Sequence, residues 1–228
     1  MKKRILLILA VITIFSMIFI NHANAISIEI DESMDGVRTY IFDLMRSNPQ
    51  KALESNPYVY VGPDNQYYRN IVNIRSPALQ YLRNKIAESK NDGLEEYILA
   101  IAMEEIAKVN LKGENQSYHW SHAKGFVPVW DQHLKNIPKN VDSIVSSNIP
   151  NMEKFNKLNK LGTPAIPYIM DKIEEGSTYL VPALNELLID NKKVIFDKDS
   201  IKDYQEWVKS NKDNFKDLRS LVESAQNQ

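Results

Sequence analysis

Cysteine is absent from all 228 residues. Without it there is no disulfide staple and no mature N-terminal cysteine to carry a lipid, so stability must come from packing. Glycine is almost as scarce, at seven residues, each isolated: Gly36, Gly62, Gly93, Gly113, Gly125, Gly162 and Gly176. No G-x-G, G-x-S-x-G or Walker-type loop exists, which leaves dinucleotide, phosphate-loop and nucleophile-elbow chemistry without a motif. An excess of one charge is missing too. The chain has 28 Lys+Arg against 29 Asp+Glu, well mixed, with no basic stripe for a nucleic acid or an anionic membrane. Alternating strands with hairpin turns are also lacking: Tyr58-Val59-Tyr60-Val61 is an isolated β-rich piece.

The start of the chain is where the apolar residues concentrate. Lys2, Lys3 and Arg4 precede an uncharged run from Ile5 to Ile20, and Ala23-Asn24-Ala25 follows as an A-x-A site. These three parts are those of a secretory signal peptide over residues 1–25. At 16 residues the run falls short of the roughly 20 that span a bilayer. The expectation is a secreted, extracellular chain starting at Ile26, and the alternative is membrane anchoring through an uncleaved N-terminal segment. Loss of the three basic residues leaves 25 Lys+Arg against 29 Asp+Glu in 203 residues, enough for a proper core.

Helical spacing dominates the remainder. Leu94 to Val109 carries Tyr97, Ile98, Ile101, Ala102, Glu105 and Ile106 as a stripe at three- and four-residue steps. Ser200-Ile201-Lys202-Asp203 reads as a capping box opening a helix through Trp207 and Val208. A last helix is predicted over Asp213 to Ser224. Shifted by 87 residues, Tyr68–Ile86 aligns with Phe155–Ile173: Tyr68 with Phe155, Ile71 with Leu158, Ile74 with Leu161, and Ser76-Pro77-Ala78-Leu79 with Thr163-Pro164-Ala165-Ile166. Six residues fewer in the second stretch bring Ala102–Ile106 onto Ala183–Leu187. The pattern implies an internal duplication of helical hairpins. Proline sits in the first turn of the second helix, where its fixed φ suits a helix and its missing N–H had no intrahelical partner. Ser76 and Thr163 are expected as side-chain N-caps, and Pro167 is expected to give its helix a 3-10-like start.

"LGTPAIPYIMDKI", Leu161 to Ile173, resembles the HEAT-like repeat of α-solenoids: a Gly-x-x-Ala-Ile-Pro turn between amphipathic helices. The likeness covers 155–190 well and 66–109 more faintly, since Arg75 and Gln80 stand where the second copy has Gly162 and Pro167. The chain is also similar to exported helical proteins of Gram-positive type. The resemblance implies an all-α, short solenoid that presents binding surfaces and shares no catalytic residues. The expected order is signal peptide 1–25, N-terminal helical section (Met34–Ser55) and tyrosine-rich loop within 26–65, copy one 66–110, Trp/His segment 111–150, copy two 151–192 and capping helices 193–228.

Three of the four histidines and two of the three tryptophans lie in the Trp/His segment. His119 and His122 stand three apart, and His133 or Asp131 could add a third ligand, the donor count of a catalytic zinc site. No Glu lies between the pair as in H-E-x-x-H, so a base would come from Glu104, Glu105 or Glu114. Alternatively Trp120 and Trp130 plug the joint between copies or take part in binding. Ser117, Ser121, His119 and Asp131 have no strained turn to make a triad. The acidic pairs Glu95-Glu96, Glu104-Glu105 and Glu174-Glu175 point apart on helices, unlike carboxylates facing across a glycosidase cleft. Tyr58 and Tyr60, beside a Gly-Pro-Asp-Asn turn, are candidate contacts for a partner. The leading expectation is a non-catalytic, exported scaffold or protein-binding module without cofactor, acting on another protein at or outside the cell surface. A zinc-dependent hydrolase on His119, His122 and His133 is the alternative.

Overall fold

In the computed structural model the described residues are all but 1, 49, 51–55, 113–119, 190–193, 195–200 and 228, with side chains described from residue 24 onward. The fold is all-α, with no strand among the described residues. Glu114, Ser117, His119 and Ser200 lie outside them. The helices form two compact units, 1–81 and 82–228, so the boundary falls inside the stretch expected to be the first copy.

In the first unit a single helix, α1, covers Lys2–Ser47. The section expected to be helical, Met34–Ser55, belongs to this longer helix as far as Ser47, with no proline before position 49 to interrupt it; residues 49 and 51–55 lie outside the described ones. Ile30, Met34, Val37 and Ile41 form its buried stripe. Against α1 packs α2, Gln66–Ile74, whose Tyr68 and Ile71 are buried. Gly36 provides the room, because a Cβ there would collide with the Tyr67 ring. The Tyr81 hydroxyl donates to Asp31, 2.8 and 2.9 Å from its two oxygens.

Between α2 and α3 (Leu79–Glu88) the chain turns through a 3-10 stretch, Ser76–Ala78. In the second unit α6 (Asn151–Asn159) leads through a 3-10 stretch, Thr163–Ala165, to α7 (Ile166–Glu174). The two 3-10 stretches stand 87 residues apart. Each follows a residue with positive φ, Arg75 at 65° and Gly162 at 76°. Neither stretch has a side-chain cap, so the assignment of Ser76 and Thr163 as N-caps is corrected; the Thr163 hydroxyl instead donates to the Ile106 carbonyl at 3.5 Å. The 3-10 start expected at Pro167 is present, and it does not require that proline, because Gln80 occupies its place in the first stretch and the same start forms. The shared Pro-Ala step after a positive-φ residue is common to both.

The second unit is built round α4 (Leu94–Ala107) and α5 (Ala123–Ser146). Residues Ile98 to Glu104 of α4 are all buried and Glu105 is exposed, so the expected stripe is in fact a helix buried on most sides. Its start is fixed by Glu96, which accepts from the Gly93 N–H at 2.9 Å and the Ser89 hydroxyl at 2.7 Å. Burial works to raise the Glu96 carboxyl, but these hydrogen bonds outweigh it and hold the group below its ordinary value. Two prolines, Pro128 and Pro138, lie inside α5, which continues through both. A short 3-10 stretch, Thr178–Leu180, leads into α8 (Val181–Leu188), with Pro182 in its first turn. α8 packs on α6 and α7. At the C-terminal end of α4, Lys108 extends its ammonium to the carbonyls of Glu186 (3.3 Å) and Ile189 (2.8 Å) at the end of α8.

Near the C-terminus α9 covers Tyr204–Asn211, capped by Asp203, whose carboxylate accepts from the N–H groups of Gln205 and Glu206. Asp203 rather than Ser200 is thus the cap. The last helix, α10, is Lys216–Gln226, preceded by a 3-10 stretch over Lys212–Phe215. α10 buries Leu218, Leu221, Val222 and Ala225 while packing on α5 and α7. Arg219 ties it to α7 by hydrogen bonds to the Pro167 carbonyl (3.0 Å) and Asp171 (2.7 Å).

Candidate functional site

The described part of the Trp/His segment contributes to the second unit's core, beside Tyr97 of α4. A row of rings runs from Tyr97 through Trp120, Phe126 and Trp130 to His133, with successive centroids 4.7, 5.1, 5.9 and 6.3 Å apart. Trp120 and Trp130 are 3% and 0% exposed, so neither presents an open face to a partner protein. The Trp120 indole N–H donates to Glu104 Oε1 at 3.2 Å, and the Leu111 N–H donates to the same oxygen at 2.7 Å. Burial pushes the Glu104 carboxyl above the ordinary range, with those two hydrogen bonds and Lys112 opposing it. The Trp130 indole N–H is buried without a partner.

The described members of the expected metal set serve three separate local roles. His122 is the N-cap of α5: its Nδ1 lies 3.2 Å from the Gly125 N and 2.6 Å from Asp92 Oδ2. Asp92 also accepts from the Lys124 N–H at 3.0 Å, and that hydrogen bond leads in holding its carboxyl below the ordinary value. Asp131 pairs with Arg83 through both oxygens, at 3.1 and 2.6 Å. His133 is half-buried and donates from Nε2 to the Leu161 carbonyl at 3.0 Å. No group of three His, Asp or Glu that could hold a metal forms among the described residues.

Burial pushes the His133 imidazole below its ordinary value, only partly offset by the Leu161 carbonyl. The folded chain therefore holds it neutral while the unfolded chain takes a proton near pH 6.5. Its stability contribution is complete above the unfolded value and lost as pH falls through the lower folded one. Urea midpoints measured from pH 7.5 down to 4.5 should fall for the wild type, and His133→Gln should remove part of that slope. An unchanged slope would mean His133 does not titrate on unfolding.

In the first unit the tyrosine loop is held by Asn65, which is fully buried. Its amide donates to the Tyr60 carbonyl at 2.8 Å and its Oδ1 accepts from the Tyr68 N–H at 3.0 Å, capping α2. Tyr60, at 2% exposed, is corrected from contact residue to loop anchor. Tyr58 is 47% exposed, with its N–H on the Asn56 side chain at 3.1 Å. The capping roles of Asn65 and Asn56 escaped the sequence reading, and the signal available was the placement of each asparagine ahead of a helical turn. Glu104, read there as a candidate base, instead accepts the Trp120 and Leu111 N–H groups.

Among known proteins no family model matches the chain, and neither a curated protein nor a solved structure matches it. The class that fold and geometry define is therefore the broad one, an all-α protein. Among the described residues no helix is long and apolar enough to cross a membrane.

Proposed function

We propose that the chain is an exported, HEAT-like helical-repeat module that binds another protein outside the cell through the Tyr58 loop. The observation that carries this is the contrast between neighbouring tyrosines. Tyr60 and Asn65 are buried and fix the loop, while Tyr58 stands half-exposed on it. A large ring presented on a pre-ordered loop gives up little entropy on binding, the usual property of an interface anchor. The repeat reading is supported by the matching turns at Arg75 and Gly162. It is also supported by Lys108, which joins the ends of α4 and α8, the two helices that align with each other. The export reading rests on residues 2–25, and recovery from culture medium of a chain beginning at Ile26 would support it over retention by an uncleaved segment.

Once a partner is in hand, Tyr58→Ala should weaken its binding by at least tenfold, about 1.4 kcal/mol or more, and Tyr58→Phe should retain most of it. Equal affinities for wild type and Tyr58→Ala by titration calorimetry would overturn the loop as the contact.

A further inference from the structure

One cluster in the second unit is used by neither the repeat nor the tyrosine loop. Lys112, in the turn after α4, places its ammonium 3.8 Å from the Trp120 ring centroid and 4.3 Å from that of Tyr97. The two rings are tilted 47° to each other, and the Tyr97 hydroxyl accepts a hydrogen bond from the same ammonium. Behind Trp120 sits the buried Glu104 carboxylate, which takes the indole N–H and so enriches the ring's π face. Two aromatic faces and a hydroxyl acceptor on one ammonium, with the buried carboxyl group behind the indole, make an ammonium cage, worth more per contact when desolvated than at an open surface.

We propose that Tyr97, Trp120 and Glu104 form a binding site for a primary alkylammonium, and that Lys112 occupies it as the chain's own surrogate ligand. The backbone of the turn is pinned, by the Leu111 N–H on Glu104 and the Lys112 N–H on Asn110 Oδ1 at 3.1 Å. Release is by rotation of the four-carbon lysine stem, which is half-buried, with the cage walls left in place. The Tyr97 hydroxyl selects N–H donors, so a primary ammonium binds better than tetramethylammonium. The ammonium can come from a free amine or from a lysine side chain. This site is in a different unit from Tyr58, and its test is independent of that loop.

The test is titration of the full chain, followed by NMR at the Trp120 indole N–H, identified by its loss in Trp120→Phe. The probes are n-butylammonium and Nα-acetyl-lysine methylamide, with sodium chloride at equal ionic strength as the blank. With Lys112 filling the cage about nine-tenths of the time, Lys112→Ala should bind either probe roughly tenfold tighter than wild type. Lys112→Ser serves as a second emptied cage should the alanine variant fail to fold. Adding Tyr97→Ala should abolish the saturable shift. A response to n-butylammonium alone identifies a free amine as the ligand, and a response to both admits a lysine side chain. No saturable shift in either Lys112 variant, equal affinity in wild type and variant, or persistence without Tyr97 would overturn the proposal.

Discussion

Gly162→Ala is expected to destabilise the second unit by about 3–5 kcal/mol, summing the usual costs of a glycine-only backbone conformation and of overpacking. Gly162 sits at φ 76° and ψ −172°. A Cβ there would collide with the Ala107 carbonyl oxygen and the Val109 side chain, at the end of α4. Backbone oxygen cannot rotate aside as a side chain would, so the turn or α4 must move. At this chain size the loss corresponds to roughly 10 °C in melting temperature. The matching position supplies the contrast. Arg75 has φ 65° and ψ −147°, and its Nε is buried without a hydrogen-bond partner. Arg75→Gly should therefore stabilise, by about 1 kcal/mol, after the added chain entropy of glycine is set against the relieved strain. Opposite signs at these two positions in urea melts would establish that both turns impose the same backbone. A neutral Gly162→Ala would show that the turn does not approach α4 as described.

Trp130→Ala should cost a similar amount, about 3–5 kcal/mol, the range for removing a fully buried large aromatic side chain. Trp130 is 0% exposed, stacked at 5.9 Å on Phe126 and next in line to His133. Trp130→Phe separates two contributions. It leaves a cavity smaller than the alanine variant's and removes an indole N–H that is buried without a partner, whose desolvation alone costs about 1–3 kcal/mol. The phenylalanine variant should thus lose far less stability than its lost volume implies. Chemical denaturation of the two variants decides: a Phe variant as unstable as the Ala variant would mean that the N–H has a partner in solution.

Local features were legible in the sequence, and those that depend on distant partners were not. The Ser/Thr-Pro-Ala steps located both turns, and the spacing from Leu94 located α4, because helix periods and proline positions are set within a few residues. Arg75 looked like a weakness in the alignment, yet it adopts the same positive φ as Gly162. The histidines misled because spacing along the chain says nothing of what lies across it. His122 faces Asp92, thirty residues earlier, and His133 faces the Leu161 carbonyl. The same holds for the aromatic candidates. Strand alternation would put Tyr58 and Tyr60 on one face, but Pro57–Tyr60 is a 3-10 turn that separates them, and only the buried Asn65 shows which one is turned inward. Lys112 carried no pattern at all, since its cage joins a turn to rings at positions 97 and 120.

The most direct test of the binding role is site-specific photocrosslinking on the producing cells. A photoreactive phenylalanine at position 58 is compared with one at Met152, which is 67% exposed in the other unit. The expected result is a discrete protein adduct from position 58, competed by added wild-type chain, and none from position 152. Absence of an adduct at 58, or the same adducts from both positions, would contradict a partner-binding tyrosine loop.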